Sequence, residues 1–243
     1  MKFTDLHLCA PFENLEQAKR LISKSAELGY SQIGVPLPHG VKQEAVEQLR
    51  QVTGELGLDF VTRVDLAPRG PDELLTGLRR FRRRFEVVSV LCNSKPVARQ
   101  AAKDRRVDLL CFRLLDPSKR FFDRAEAELA SGSSAAFEID MAQVIGSFEG
   151  RSNVGVFSRL RREVVTAKSF GVPLVISSGT SEPLFLRKPK DYAALALLFE
   201  LDESRALEAL SENPSAIVER SRSKQSAEYV APGVRLVKMR RDG

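Results

Sequence analysis

Histidine is scarce in this chain, with only His7 and His39 among 243 residues. A hydrolase built around two or three metal ions ordinarily needs more imidazoles than that. Cysteine is nearly as sparse: Cys9, Cys92 and Cys111 are odd in number, lack CxxC spacing and each lie in an apolar, strand-like run. That pattern excludes a disulfide framework and a zinc ribbon, and it reads as buried thiols. No apolar run approaches the roughly 18 residues of a membrane span. No GxGxxG follows the first strand and no Walker A motif occurs anywhere, which argues against the nucleotide-binding versions of an α/β fold. The N-terminus opens directly on a strand-like pattern without a signal peptide, so the expected location is the cytoplasm.

What is present supports a sizeable soluble core: 43% hydrophobic and 29% charged residues. Strand-like runs at 3–9, 31–37, 58–67, 86–92, 108–115, 136–145 and 172–178 alternate with amphipathic helical stretches. Asn14 is placed to cap the first helix, Pro71 to open the third, and Asn213-Pro214 to cap and open a late one. Strand-then-helix repetition predicts a parallel sheet with right-handed crossovers. The predicted fold is an irregular TIM-type (β/α) barrel of about seven strands over residues 1–220, followed by a basic C-terminal tail, 221–243.

The net charge of +6 favours an anionic partner, and its distribution is more informative than its size. Leu74, Leu78, Phe81 and Phe85 form the apolar stripe of the third helix, which leaves Arg79, Arg80, Arg82, Arg83 and Arg84 on the solvated arc. A basic helix end suits the helix dipole, but five arginines with no acid among them exceed what a dipole needs. They read as a phosphate-backbone footprint. Further clusters at Arg105-Arg106, Arg159 with Arg161-Arg162, Arg187-Lys188 with Lys190, and Lys238 with Arg240-Arg241 extend the positive surface. Each alone is an ordinary solvated face; together they suit a folded RNA. No RRM, KH or zinc-knuckle signature accompanies them, so readout of base sequence is not expected.

Strand alternation places Phe3, Asp5, His7 and Cys9 on one face of the first strand and Thr4, Leu6 and Leu8 on the other. Arg63 and Asp65, Arg113, and Glu138 and Asp140 join Asp5 and His7 as polar residues in strands. Two readings stand: a metal or acid–base site, or a buried ion-pair network in which each charge is tolerated because it is partnered. The Ser177-Ser178-Gly179-Thr180 loop, followed by Arg187, has the make-up of an anion-binding turn or of a plain glycine turn.

Several of these stretches, in this order and spacing, resemble the archaeal ribonuclease P protein component 3 family, counterpart of the eukaryotic thirty-kilodalton subunit. They are Phe3-Thr4-Asp5-Leu6-His7, Phe137-Glu138-Ile139-Asp140, Val175-Ile176-Ser177-Ser178-Gly179, Leu186-Arg187-Lys188-Pro189-Lys190-Asp191, and Asn213-Pro214-Ser215 with Ile217 and Glu219-Arg220. The resemblance implies a barrel similar to the polymerase-and-histidinol-phosphatase metallohydrolases, which open with a His-x-His pair. Here that stretch reads Asp5-x-His7-x-Cys9, one histidine short, so it implies a vestigial pocket of Asp5, His7, Cys9, Arg113, Glu138, Asp140 and Ser177 with no metal and no catalytic residue. It further implies a subunit that binds no cofactor and helps a magnesium-dependent catalytic RNA remove the 5′ leader of precursor tRNA, paired with a small RRM-like protein. The competing reading is a barrel metallohydrolase acting on a phosphoester through Asp5, His7, Glu138 and Asp140.

Overall fold

A computed structural model describes residues 1–114, 116, 122–147, 153–226, 229–231 and 234–235. Seven parallel strands form one sheet in sequential order: β1 Phe3–Asp5, β2 Tyr30–Pro36, β3 Asp59–Leu66, β4 Val87–Leu91, β5 Leu109–Cys111, β6 Ala136–Asp140 and β7 Leu174–Ser177. The helices α1 Leu15–Glu27, α2 Gln43–Glu55, α3 Pro71–Phe81, α4 Lys95–Lys103 and α5 Arg124–Ser133 return the chain between successive strands. α6 Met141–Gly146 and α7 Asn153–Ser169 follow β6, and α8 Pro189–Ala196, α9 Glu203–Leu210 and α10 Glu212–Gln225 follow β7. Asn14 caps α1 as expected, accepting from the Gln17 N–H, and Pro71 occupies the first turn of α3. No helix among the described residues is long and apolar enough to cross a membrane. The basic tail residues Lys238, Arg240 and Arg241 lie outside the described residues, as do Leu115 at the end of the fifth predicted strand and Arg120 at the start of the helix predicted after it.

The strands are shorter than their apolar runs. The run at 136–145 splits after Asp140, whose side chain caps α6 by accepting from the Gln143 N–H at 3.3 Å. A carboxylate at that position turns a strand into a helix start. β1 likewise ends at Asp5, so strict alternation does not reach Cys9. Leu6, expected on the face opposite Asp5 and His7, joins the barrel interior with Val61, Val87, Leu109, Ala136 and Val175. Gly34 permits this, because a Cβ there would meet the Leu6 carbonyl oxygen at 2.8 Å.

β7 and β1 do not pair as strands. At the C-terminal end of the sheet the seam is closed by Gly179 N–H donating to the His7 carbonyl (2.9 Å) and Cys9 N–H donating to that of Thr180 (3.0 Å). At the other end α10 fills the gap. Its Ile217 and Val218 enter the interior cluster, Asn213 Nδ2 donates to the Leu174 carbonyl at 2.9 Å, and Ser215 Oγ lies 3.1 Å from Thr4 Oγ1. Asn213 is thus not the cap, a place taken by Ser211, while Pro214 lies in the first turn as expected. The helix begins at Glu212, with Pro214 in a first turn whose N–H groups have no helical acceptor anyway. It also runs past Arg220, where a tail was expected, and Arg222 anchors it to Asp59 (2.7 Å) and Glu86 (2.6 Å).

Candidate functional site

Alternation along β3 to β7 stacks the interior side chains in layers. Above the apolar layer lie Arg63, Ser89, Cys111, Glu138 and Ser177, and above them Asp65, Leu91, Arg113 and Asp140 around a cavity of about 390 Å³. Arg63 is the centre of the site. It is fully buried, and its Nη1 and Nη2 donate to the two Glu138 carboxylate oxygens at 2.5 and 2.8 Å. Its Nε donates to Asp65 at 2.7 Å, and Nη1 also donates to the Leu6 carbonyl at 2.9 Å. Ser177 Oγ adds a hydrogen bond to Glu138 at 2.8 Å. Burial works to raise the Glu138 pKa, but the charge and hydrogen bonds of Arg63, with help from His7 and Ser177, hold it down at about 2. The pair is the buried ion-pair network that was one of the two readings.

His7 stands at the rim between two carboxylates, with Nε2 3.6 Å from Asp65 and Nδ1 3.6 Å from Asp140. Burial and the neighbouring Arg63 charge oppose its protonation, while the Cys9 side chain and Asp65 favour it; the net pKa is up at about 9. The expected pocket residues therefore divide. His7, Arg113 and Asp140 line the cavity, while Glu138 and Ser177 lie beneath it under Arg63. Cys9 is half-buried rather than buried, unlike Cys92 and Cys111. Asp5 is not in the cavity lining. It sits on the seam, where its Oδ1 accepts the N–H groups of His7 and Ser178, both at 3.0 Å, and burial pushes its pKa up. Asp65 and Gln143 belong to the site as well; Gln143 Nε2 donates to Asp140 at 3.1 Å and its Oε1 accepts the Leu114 N–H.

These donors do not fit a metal ion. Glu138 and Asp65 are already bridged by a guanidinium, Asp140 caps a helix, and Asp5 sits on the seam with Oδ1 held by backbone N–H groups and only Oδ2 unpartnered. Among the described residues no three of His, Cys, Asp and Glu are placed to share one ion. The Ser177 to Thr180 loop does not fit an anion either: the N–H groups of Ser178 and Gly179 point inward to Asp5 and to the His7 carbonyl. Gly179 is required for this turn, with φ at +64° and the Asp140 carboxylate occupying the place a Cβ would take.

The arginine block is split by the fold. Arg79, Arg80, Arg83 and Arg84 are exposed, and none has a carboxylate partner among the described residues. Arg82, placed with them on the solvated arc by helical periodicity, turns inward instead. It forms an ion pair with buried Asp108 and donates to Ser221 Oγ at 2.7 Å, tying α3 to α10. Arg105 is exposed and Arg106 is bound to Asp104 at 2.6 Å. Arg159 is half-buried and partnered. Lys188 and Lys190 are exposed at the start of α8, but Arg187 folds back onto the Leu184 carbonyl at 2.6 Å.

A family model described as RNase P subunit p30 matches residues 2–226. A protein of Methanococcoides burtonii named ribonuclease P protein component 3 is 27% identical over 234 residues, covering 96% of this chain and 93% of its own. Among solved structures, a chain of "cryo-EM structure of archaeal Ribonuclease P with mature tRNA" superposes with a TM-score of 0.80 at 19% identity, covering 98% of this chain and all of the other. A lactonase from Listeria monocytogenes shares the barrel alone, with a TM-score of 0.53 at 10% identity over 89% of this chain and 94% of its own.

Proposed function

The chain belongs to the RNase P subunit p30 family, and from that premise we propose how it works: as an RNA-binding subunit whose outer basic surface screens phosphates while the mouth of its barrel breaks no bond. It is a protein subunit of ribonuclease P, the ribonucleoprotein that removes the 5′ leader from precursor tRNA. One observation carries the mechanism: Glu138 and Asp65 are clamped by Arg63, whereas Arg79, Arg80, Arg83 and Arg84 stand exposed without acidic partners among the described residues. A packed RNA crowds phosphates together. Arginines replace part of the counterion atmosphere and bind phosphate oxygens through paired N–H groups. The reading includes a catalytic RNA that uses magnesium, a small RRM-like protein as companion, no cofactor on this chain and a cytoplasmic location.

Reconstitution tests it. The chain and its small companion, added to the catalytic RNA at limiting magnesium, are expected to accelerate precursor-tRNA cleavage. No acceleration, or phosphoester turnover by the chain without RNA, would count against it.

A further inference from the structure

A groove runs down the outer wall beside α3, from Asp65 at the rim of the barrel mouth to Glu86 just before β4. Two cavities lie along it, of about 360 and 410 Å³. Phe81 belongs to one and Phe85 to the other, with ring centroids 6.2 Å apart. His39 is exposed, yet it is not loose: its ring stacks on Phe81 with centroids 4.3 Å apart and planes within 25°. One imidazole face is thus fixed against a buried ring and the other is open. The guanidinium of Arg80 lies 5.2 Å from the Phe81 centroid and that of Arg84 5.8 Å from Phe85, so both are steered toward the groove by cation–π contact. Arg50 also lines the second cavity, but it is ion-paired with Glu47 at 3.8 Å.

Two of the three acids lining the cavities, Asp65 and Glu86, are neutralised by an arginine. Asp65 holds Arg63, Glu73 accepts the Arg69 N–H at 2.9 Å, and Glu86 holds Arg222. Arg80 and Arg84 have no carboxylate partner among the described residues, so the groove offers two unpaired cations beside a flat aromatic platform. Unpaired nucleotides require that combination, since their bases need a π-face and their phosphates a cation. A base-paired helix hides its base faces and has no use for the platform.

We propose that this groove seats a single-stranded segment of RNA, with an unpaired base stacked on His39 and the adjoining phosphates held by Arg80 and Arg84. The inference rests on the RNA-subunit reading and adds to it a defined site and a preference for unpaired nucleotides.

The test uses the full chain with two probes: a fluorescent oligouridylate and a blunt RNA duplex of equal length. His39→Ala is expected to weaken oligouridylate binding about tenfold, within the range measured for removal of a base–aromatic stack, and to leave duplex binding unchanged. His39→Phe is expected to restore it. Arg80→Ala and Arg84→Ala are expected to weaken both probes. If His39→Ala changes neither probe while the arginine variants still respond, the groove assignment fails and the RNA-subunit reading stands. If the wild-type chain binds neither probe, nor the catalytic RNA, both fail. If His39→Ala weakens only binding of the second protein subunit, the groove belongs to a protein and the assignment is overturned.

Discussion

Arg63 is the residue on which the interior depends. Burying a guanidinium and a carboxylate is tolerated because each satisfies the other, and removing one leaves an uncompensated charge. Arg63→Ala is expected to cost about 3–5 kcal/mol in urea unfolding. The double replacement Arg63→Met with Glu138→Leu should recover most of it; a double variant as weak as the single one would contradict the account. Because the Glu138 pKa lies below its ordinary 4.5, its contribution is complete above that value and is lost as pH falls through about 2. His7 runs the other way. Its pKa is raised above 6.5, so its contribution is present below 6.5 and disappears as pH climbs through about 9. Between those values the melting temperature of the wild type should fall more steeply than that of His7→Gln, and parallel curves would show that His7 is not linked to folding. The polar set was legible from strand alternation, but the rank of its members was not. Nothing in the sequence separates Arg63 from Arg113, since both sit in strand-like runs; burial of the first and exposure of the second arise from depth in the barrel.

Among the elements, α10 does what an eighth strand would do. It seals the lower seam through Asn213 and Ser215, fills the interior with Ile217 and Val218, and is pinned by Arg220 to Asp108 (3.1 Å) and by Arg222 to Asp59 and Glu86. A chain ending after Ser226 keeps the whole of α10 and serves as the reference. One ending after Arg220 should melt several degrees lower, since it loses the Arg222 ion pairs and the last turn of the plug. Equal melting of both would show that the end of α10 contributes nothing. Local pattern alone missed this. Asn-Pro is a sound capping signal, but here the amide reaches the carbonyl of β7, a contact set by tertiary packing.

For the whole molecule, charge is the relevant quantity. The C-terminal end of α3 and the loop after α4 bring the exposed Arg79, Arg80, Arg83, Arg84 and Arg105 to the same end of the barrel, opposite its mouth. Lys224 on α10 is held below the ordinary lysine pKa by burial first, then by Arg220 and Arg82. Replacing Arg79, Arg80, Arg83 and Arg84 with alanine should flatten the dependence of log K on log[salt] for the catalytic RNA by about 0.7–0.9 for each phosphate no longer neutralised. Arg82→Ala should lower stability instead, because it deprives buried Asp108 of a partner. An unchanged slope in the first variant would remove the electrostatic basis of the proposal.

The sequence by itself determined the class of fold, the order of strands and helices and the basic character of the surface. Those depend on periodicity and composition, which are local or additive. It also carried the family resemblance that the match over residues 2–226 bears out. Only the tertiary structure decided which arginine is a strut and which is free, that Leu6 enters the barrel, that α10 closes it, and that His39 lies on Phe81. Each of those depends on residues distant in the chain meeting at a particular depth, and neither helical nor strand periodicity encodes depth.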